Sequence, residues 1–299
     1  MCLLTYKVSL LKSYRSFFFV NNHLLLSDFY PMKKNKNFLV WQFYAPTPDS
    51  ELLPTISYII GTMHIRDERA FQFEQIFLEK ITACEVFATE FDLDDTQVVS
   101  VTQALMLPLG ISLQSLMPPK LYKRINDVVK KQTGMDLMPF NFMKPIAVTN
   151  FLSEFVLSKD RMLSLDETLW QFAKEQRKIL RGIETFNEQL DILEKMSIDD
   201  QIKGLKDVVR NFPKFRKQLL NMTKLYEKAD IAQLYKVAKQ TAKGGRKILL
   251  YDRNTLMADR IAEFSEQNTI CVAIGAGHLA GKKGVLHLLK QKGFVVKPA

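Results

Sequence analysis

The sequence predicts an α/β fold, with a mixed, largely parallel sheet built from both ends of the chain and a large helical insertion between them. Three observations support this prediction. Short apolar runs rich in β-branched and aromatic residues occur near both ends, which is typical of buried strands. Apolar residues recur at helical spacing through the middle of the chain. Near the carboxyl end, a strand pattern, a helix pattern and a second strand pattern follow one another.

Six segments have the composition of strands. Five are bounded by glycine, proline or charged residues, at residues 39–44, 56–60, 85–91, 270–274 and 294–296, and a sixth, weaker segment lies at residues 179–183. Residues 279–292, which separate the last two strands, have the apolar spacing of a helix with basic residues between. This strand-helix-strand order predicts that the strands pair in parallel. Residues 97–176 and 186–264 have helical stripes, so the insertion spans about residues 97–264.

Composition supports a single domain from residue 32 to residue 299. The chain of 299 residues is 47% hydrophobic and 25% charged, as in a globular protein that can bury a core. Residues 1–31 are interpreted as a non-native or disordered extension, because Met32 opens a segment, MKKNKNFLVWQFY, that reads as a natural start. The sequence has no signal peptide pattern and no apolar stretch of membrane-spanning length, so the expected location is the cytoplasm.

The charge balance and the cysteines argue against two kinds of site. Lys and Arg number 42 against 32 Asp and Glu, and the net charge of +10 invites a nucleic-acid interpretation. However, basic residues alternate with acids, as at residues 203–210, and lack the clustered face and stacking aromatics of nucleic-acid binders. Cys2, Cys84 and Cys271 are far apart without CxxC spacing, so we expect buried free thiols, not disulfides or a thiolate zinc site.

Two of the four histidines share one local pattern. His64 ends the tetrapeptide GTMH, His278 ends GAGH, and each tetrapeptide follows a predicted strand. Ligands of open parallel sheets bind at the carboxyl ends of the strands. Glycine at a strand exit tolerates positive φ and allows close backbone approach, so both imidazoles can be aimed at one pocket. His23 and His287 lack this pattern and are interpreted as ordinary surface or helix residues.

Glu90 is the third candidate residue of this site. It lies in the strand segment EVFATEFDL, among apolar neighbours, where a carboxylate must be paired, metal-bound or protonated. Two imidazoles and a carboxylate suit zinc, manganese, cobalt or iron. The alternative is that His64 and His278 are hydrogen-bonded structural residues. The repeated glycine pattern and the nearby acid favour the metal site.

Several blocks of the chain resemble the TraB/PrgY/GumN family, to which the TIKI proteases belong. The resemblance runs from Leu39 to Pro298, and its most specific part is the carboxyl block AIGAGHLAGKKGVLHLLKQKGFVVKP. YIIGTMHI and ATEFDL are similar to the family's first GxxH motif and acidic strand. SLDETLWQFAKEQRKILRGIETFNEQLDIL and YDRNTLMADRI are similar to its middle blocks, and they point to Glu184, Arg253 and Asn254. The amino end lacks the export signal that many members carry.

The resemblance implies an α/β core related to the erythromycin-esterase and ChaN-like folds and, for the TIKI branch, metal-dependent peptide cleavage. His64, Glu90 and His278 are then expected to hold a divalent metal ion, which could be manganese, cobalt or zinc. Glu184 is expected to be a further ligand or the general base, with a salt bridge or helix cap as the alternative. Arg253 is expected to orient Glu90 or Glu184 or to stabilise an oxyanion, with a surface ion pair as the alternative.

Two functions follow from this interpretation. The first is a metal-dependent hydrolase that cleaves peptide or ester bonds in a peptide or small-molecule substrate. The second is a non-catalytic binding or regulatory protein that sequesters a peptide, haem or metal, because other members of the family are regulators of plasmid transfer or of peptide pheromones. An open metal position and an acid-base partner would distinguish the enzyme from the binder.

Overall fold

The computed structural model describes residues 38–46, 54–95, 103–242 and 245–299. The extension predicted at residues 1–31 and the predicted start of the insertion at residue 97 lie outside these ranges, as do Cys2 and His23. Cys84 and Cys271 lie inside them and are free, buried thiols, as predicted.

Six strands form one sheet in the described part of the chain. They are β1 (Val40–Tyr44), β2 (Ser57–Thr62), β3 (Val86–Phe91), β4 (Ile179–Glu184), β5 (Ile270–Gly275) and β6 (Val295–Pro298). Their order across the sheet is β4-β3-β5-β2-β1-β6. The strands from β4 to β2 are parallel, and β1 is antiparallel to β2 and to β6. The predicted mixed, largely parallel α/β sheet and its six strands are confirmed.

The pairing of the last strand differs from the prediction. β6 does not lie beside a parallel strand but pairs antiparallel with β1, with Gln42 opposite Lys297. The reason is that β1 also pairs with β2, at Val40 and Ile60, and so occupies the edge of the parallel strands. The chain that leaves β5 must therefore cross β2 and β1 before it finds a free edge.

Helices fill the rest of the described chain. They are α1 (Glu74–Thr82), α2 (Leu113–Leu116), α3 (Pro119–Thr133), α4 (Pro145–Val156), α5 (Leu165–Glu175), α6 (Phe186–Glu194), α7 (Ile198–Arg210), α8 (Phe212–Glu227), α9 (Ile231–Thr241), α10 (Arg253–Phe264) and α11 (Val285–Gln291). No helix in these ranges combines the length and apolar content needed to cross a bilayer. The final helix starts later than the predicted residue 279, because Gly281 has a φ of +86° and a side chain at Gly284 would collide with the carbonyl of Ala280.

The buried side chains form two main clusters. The larger cluster joins the sheet to α1, α5, α10 and α11, with fully buried residues such as Phe77, Leu169 and Met257. The second cluster joins α3, α4 and α7, through residues such as Val129 and Leu152. The insertion therefore has a core of its own, and the sheet core carries the strand ends that hold the candidate site.

Candidate active site

The two GxxH motifs leave neighbouring parallel strands at the same edge of the sheet. Thr62 at the end of β2 pairs with Gly275 at the end of β5, so His64 and His278 follow adjacent strand ends. His278 ends a single 3₁₀ turn, Ala276–His278, that starts directly after β5. This placement agrees with the predicted convergence at the carboxyl ends of the strands.

The glycines of these motifs are needed for close approach. A Cβ atom on Gly275 would lie 3.1 Å from Glu90 Oε1, and one on Gly61 would lie 2.7 Å from Leu279 Cδ1. Positive φ, the other property proposed for these glycines, is found at neither position. The motifs therefore depend on the small volume of glycine, which lets neighbouring side chains pack against the strand exits.

Glu90, on β3 beside β5, is a buried carboxylate with both oxygens engaged. Oε1 accepts a hydrogen bond from the backbone N–H of Gly275 at 2.8 Å, and Oε2 accepts one from Arg253 Nη2 at 2.7 Å. Burial raises the pKa of Glu90, but Arg253, His278 and the Gly275 N–H together outweigh burial and lower the pKa to about 2. Glu90 is therefore ionised at every ordinary pH.

Arg253 joins Glu90 to Glu184 in a buried ion cluster. Its Nε donates to Glu184 Oε1 at 2.8 Å and its Nη2 to Glu184 Oε2 at 2.5 Å, while the same Nη2 reaches Glu90. Gln189 Nε2 donates a further hydrogen bond, of 3.0 Å, to Glu184 Oε2. Arg253 is only 7% exposed, so these ion pairs lie in the interior and not on the surface. The two glutamates raise the pKa of the guanidinium although burial lowers it, which keeps Arg253 charged.

The backbone before Arg253 has an uncommon form. Lys247–Asp252 is a π-helical turn, and α10 begins directly after it at Arg253. Such turns are rare and frequently occur at functional sites. Here the turn delivers two consecutive buried residues, Arg253 and Asn254, to the ends of β3, β4 and β5.

Asn254 determines which nitrogen of His278 carries hydrogen. Its Nδ2 donates to the carbonyl of Lys283 at 2.6 Å, so its Oδ1, 2.5 Å from His278 Nδ1, is an acceptor. His278 Nδ1 must then be the protonated nitrogen, which leaves the lone pair on Nε2. That Nε2 lies 3.9 Å from Glu90 Oε1. Burial lowers the pKa of His278 to about 4 although Glu90 raises it, so the imidazole is neutral near pH 7.

His64 is held by the start of α5. Its Nδ1 lies 3.3 Å from Ser164 Oγ and 3.3 Å from Asp166 Oδ2. The other oxygen of Asp166 accepts a hydrogen bond of 2.7 Å from Thr62 Oγ1. The side chains of His64 and Asp166 are 6% and 9% exposed, so this pair is also buried.

Direct contacts thus join four of the five predicted residues, Glu90, Glu184, Arg253 and His278, and His64 leaves the adjacent strand. Reasoning from single residues missed Ser164, Asp166 and Gln189. The available signal was the capping box of α5, in which Ser164 and Glu167 cap each other and Asp166 falls in the first turn.

The donor chemistry of the site fits a divalent metal ion. His278 Nε2 is a neutral nitrogen with a lone pair, and Glu90 is an ionised oxygen donor beside it. Within the described residues, no three His, Cys, Asp or Glu side chains stand close enough together to hold a metal ion without movement. The residues therefore supply suitable ligands, and a side chain must shift before three of them meet.

Comparisons with known proteins agree with this architecture. The family model of the TraB/PrgY/gumN family matches residues 51–298. Metalloprotease TIKI2 of Danio rerio is 26% identical over 89% of this chain and 61% of its own length, and Metalloprotease TIKI1 of Homo sapiens is 23% identical over 90% and 63%. Metalloprotease TIKI homolog of Nematostella vectensis is 20% identical over 89% and 68%. The chain spans about three fifths of the length of the first two, and no solved structure matches it significantly. With more than half of its length matched by the family model, the chain belongs to the TraB/PrgY/gumN family.

Proposed function

We propose that this protein is a metal-dependent hydrolase that cleaves peptide or ester bonds, with His64, Glu90 and His278 as the metal ligands. The observation that carries the proposal is the pairing of His278 with Glu90. Asn254 fixes the lone pair of His278 on Nε2, and that nitrogen faces a glutamate with a pKa of about 2. The relatives named metalloproteases support the same chemistry.

The environment of each side chain suggests its part in the reaction. A bound divalent ion would polarise the substrate carbonyl and lower the pKa of a water molecule to about 7. Glu90 cannot donate a proton near neutral pH, because its pKa is about 2, so its part is that of an anionic ligand. Arg253 holds Glu90 in place and concentrates positive charge beside the reacting carbonyl.

Glu184 fits a positioning part better than that of general base. Both of its oxygens accept hydrogen bonds from Arg253, and Gln189 donates to one of them. A general base must have a free oxygen that faces the attacking water. Glu184 would have to leave Arg253 to provide one, so we assign it to orienting Arg253.

The second candidate function is a non-catalytic binding protein for a peptide, haem or metal. It is favoured by the closed ion cluster, in which Arg253 already neutralises Glu90 and Glu184. A buried cluster of this kind can be a finished structural unit that needs no metal ion. The two functions differ in whether the site takes up a metal ion and turns over substrate.

One experiment separates these functions. The purified protein is analysed for bound metal, titrated with manganese, cobalt and zinc, and assayed against a panel of peptides and esters. His64→Ala and His278→Ala are compared with His287→Ala, which removes a histidine of α11 outside the site. The hydrolase predicts metal-dependent turnover that both site variants lose and His287→Ala keeps. If the wild type takes up no metal and cleaves nothing, while it retains a peptide or haem stoichiometrically, the protein is a binder.

A further inference from the structure

The hydrogen-bond partners of His64 are both acceptors. Ser164 Oγ donates its one hydrogen to Glu167 Oε2 at 2.8 Å, so it can only accept at His64 Nδ1, 3.3 Å away. Asp166 Oδ2 is buried and makes no hydrogen bond of good geometry among the described residues, and His64 Nδ1 lies 3.3 Å from it. A buried carboxylate oxygen requires a donor, which a hydrogen on Nδ1 supplies.

The rest of Asp166 is fixed in place. Thr62 Oγ1 donates to its Oδ1 at 2.7 Å, and Thr62 is the last residue of β2, two positions before His64. Asp166 lies in the first turn of α5, where the N-terminal end of the helix favours negative charge. Strand and helix thus hold the carboxylate against the imidazole from both sides.

We propose that Asp166 is a positioning residue that fixes His64 as the Nδ1–H tautomer and turns its Nε2 lone pair into a metal-ligating nitrogen. The metal-ligating part rests on the proposed hydrolase function, but the tautomer does not. His278 receives the same tautomer from Asn254, so two different residue types prepare the two imidazoles in the same way. A carboxylate partner also makes the imidazole a stronger base than an amide partner does.

Nitrogen-15 NMR of the metal-free protein tests the tautomer without any assay of activity. Long-range ¹H–¹⁵N spectra distinguish protonated from unprotonated ring nitrogens, and the chain has only four histidines to assign. Spectra are recorded at about pH 8.5, roughly two units above the ordinary histidine pKa, so that free imidazoles are neutral. The wild type is expected to show His64 with hydrogen on Nδ1.

Asp166→Asn is the decisive variant, because Thr62 occupies one side-chain oxygen and the new amide nitrogen then faces His64 as a donor. His64 is expected to move its hydrogen to Nε2, and zinc, added as the probe, to bind about 10- to 100-fold more weakly. Asp199→Asn is the matched control, since Asp199 is the second residue of α7, as Asp166 is of α5, and it is exposed. The control is expected to keep both properties of the wild type.

Three results would overturn this inference or separate it from the proposed function. A wild-type His64 with hydrogen on Nε2 refutes the tautomer directly, even if Asp166→Asn does not fold. An unchanged tautomer in folded Asp166→Asn refutes the part of Asp166. A tautomer that switches as expected in a protein that binds no zinc supports Asp166 as the positioning residue and rejects the metal-dependent hydrolase.

Discussion

Removing the charge of Arg253 tests the buried ion cluster. In metal-free Arg253→Met, Glu90 and Glu184 stay in the interior, 5% and 2% exposed, without their cation. Loss of one partner from a buried ion pair costs about 3–5 kcal/mol of unfolding free energy. The pKa of Glu90 gives a similar figure, because the difference between 4.5 and about 2 corresponds to about 3 kcal/mol at neutral pH.

The dependence on pH gives this prediction its sign. In the wild type the folded pKa of Glu90 is below 4.5, so its stabilisation is complete above pH 4.5 and is lost as pH falls through about 2. Without Arg253, burial raises the folded pKa of Glu90 above 4.5, so the carboxylate destabilises the variant near pH 7. The gap in stability between wild type and variant should therefore narrow as pH falls from 7 to about 5.

The assay is urea unfolding followed by circular dichroism at pH 7 and at about pH 5. Arg260→Met is the matched control on the same helix, because Arg260 also forms two hydrogen bonds with a glutamate, Glu188, at 2.7 Å each. Their side chains are 26% and 34% exposed, so this pair should contribute about 1 kcal/mol or less. A loss in Arg253→Met as small as in the control, or one that is equal at both pH values, would refute the reasoning.

Two further predictions concern the strand exits. Gly275→Ala places a Cβ atom 3.1 Å from Glu90 Oε1, so metal-dependent turnover should fall about tenfold with the fold intact; Gly204→Ala, which meets nothing within 4 Å on α7, should keep turnover and gain about 1 kcal/mol. Tyr226→Phe removes the 2.9 Å hydrogen bond that the buried hydroxyl donates to Gly61 O, and thermal unfolding should show a loss of about 1–2 kcal/mol.

The sequence predicts the strands well because each strand is decided by its own composition. β3 and β5 are nearly continuous runs of buried residues, and even the weaker β4 ends where the Gly-x-Glu pattern indicates. The partner of β6 could not be read in the same way. It depends on the edge that β1 leaves free, which is a property of the whole sheet.

The candidate site shows the same limit. Spacing after a strand identified His64 and His278, because position along one strand decides where a residue emerges. The contact of Arg253 with Glu90 joins residues 163 positions apart, and Thr62 and Asp166 are 104 apart, so no local pattern reveals them. The glycines were assigned partly to positive φ, whereas packing against Glu90 and Leu279 is what excludes a side chain there.

The last prediction asks why a buried ion cluster is present at all. Replacing a complete buried cluster with neutral groups of similar shape is often neutral or stabilising, whereas removing one member is costly. In Glu90→Gln/Glu184→Gln/Arg253→Met, the amide oxygens still accept from the Gly275 N–H and from Gln189 Nε2, the donors that the carboxylates use now.

The triple variant should therefore unfold within about 1–2 kcal/mol of the wild type at pH 7, recovering most of what Arg253→Met alone loses. Its stability should no longer depend on the ionisation of this cluster, and its affinity for zinc should fall. A triple variant as unstable as Arg253→Met would show that the packing of the guanidinium, and not its charge, holds the site. Recovery of stability without zinc binding would instead mean that the charges are retained for the function of the site, since the fold does not require them.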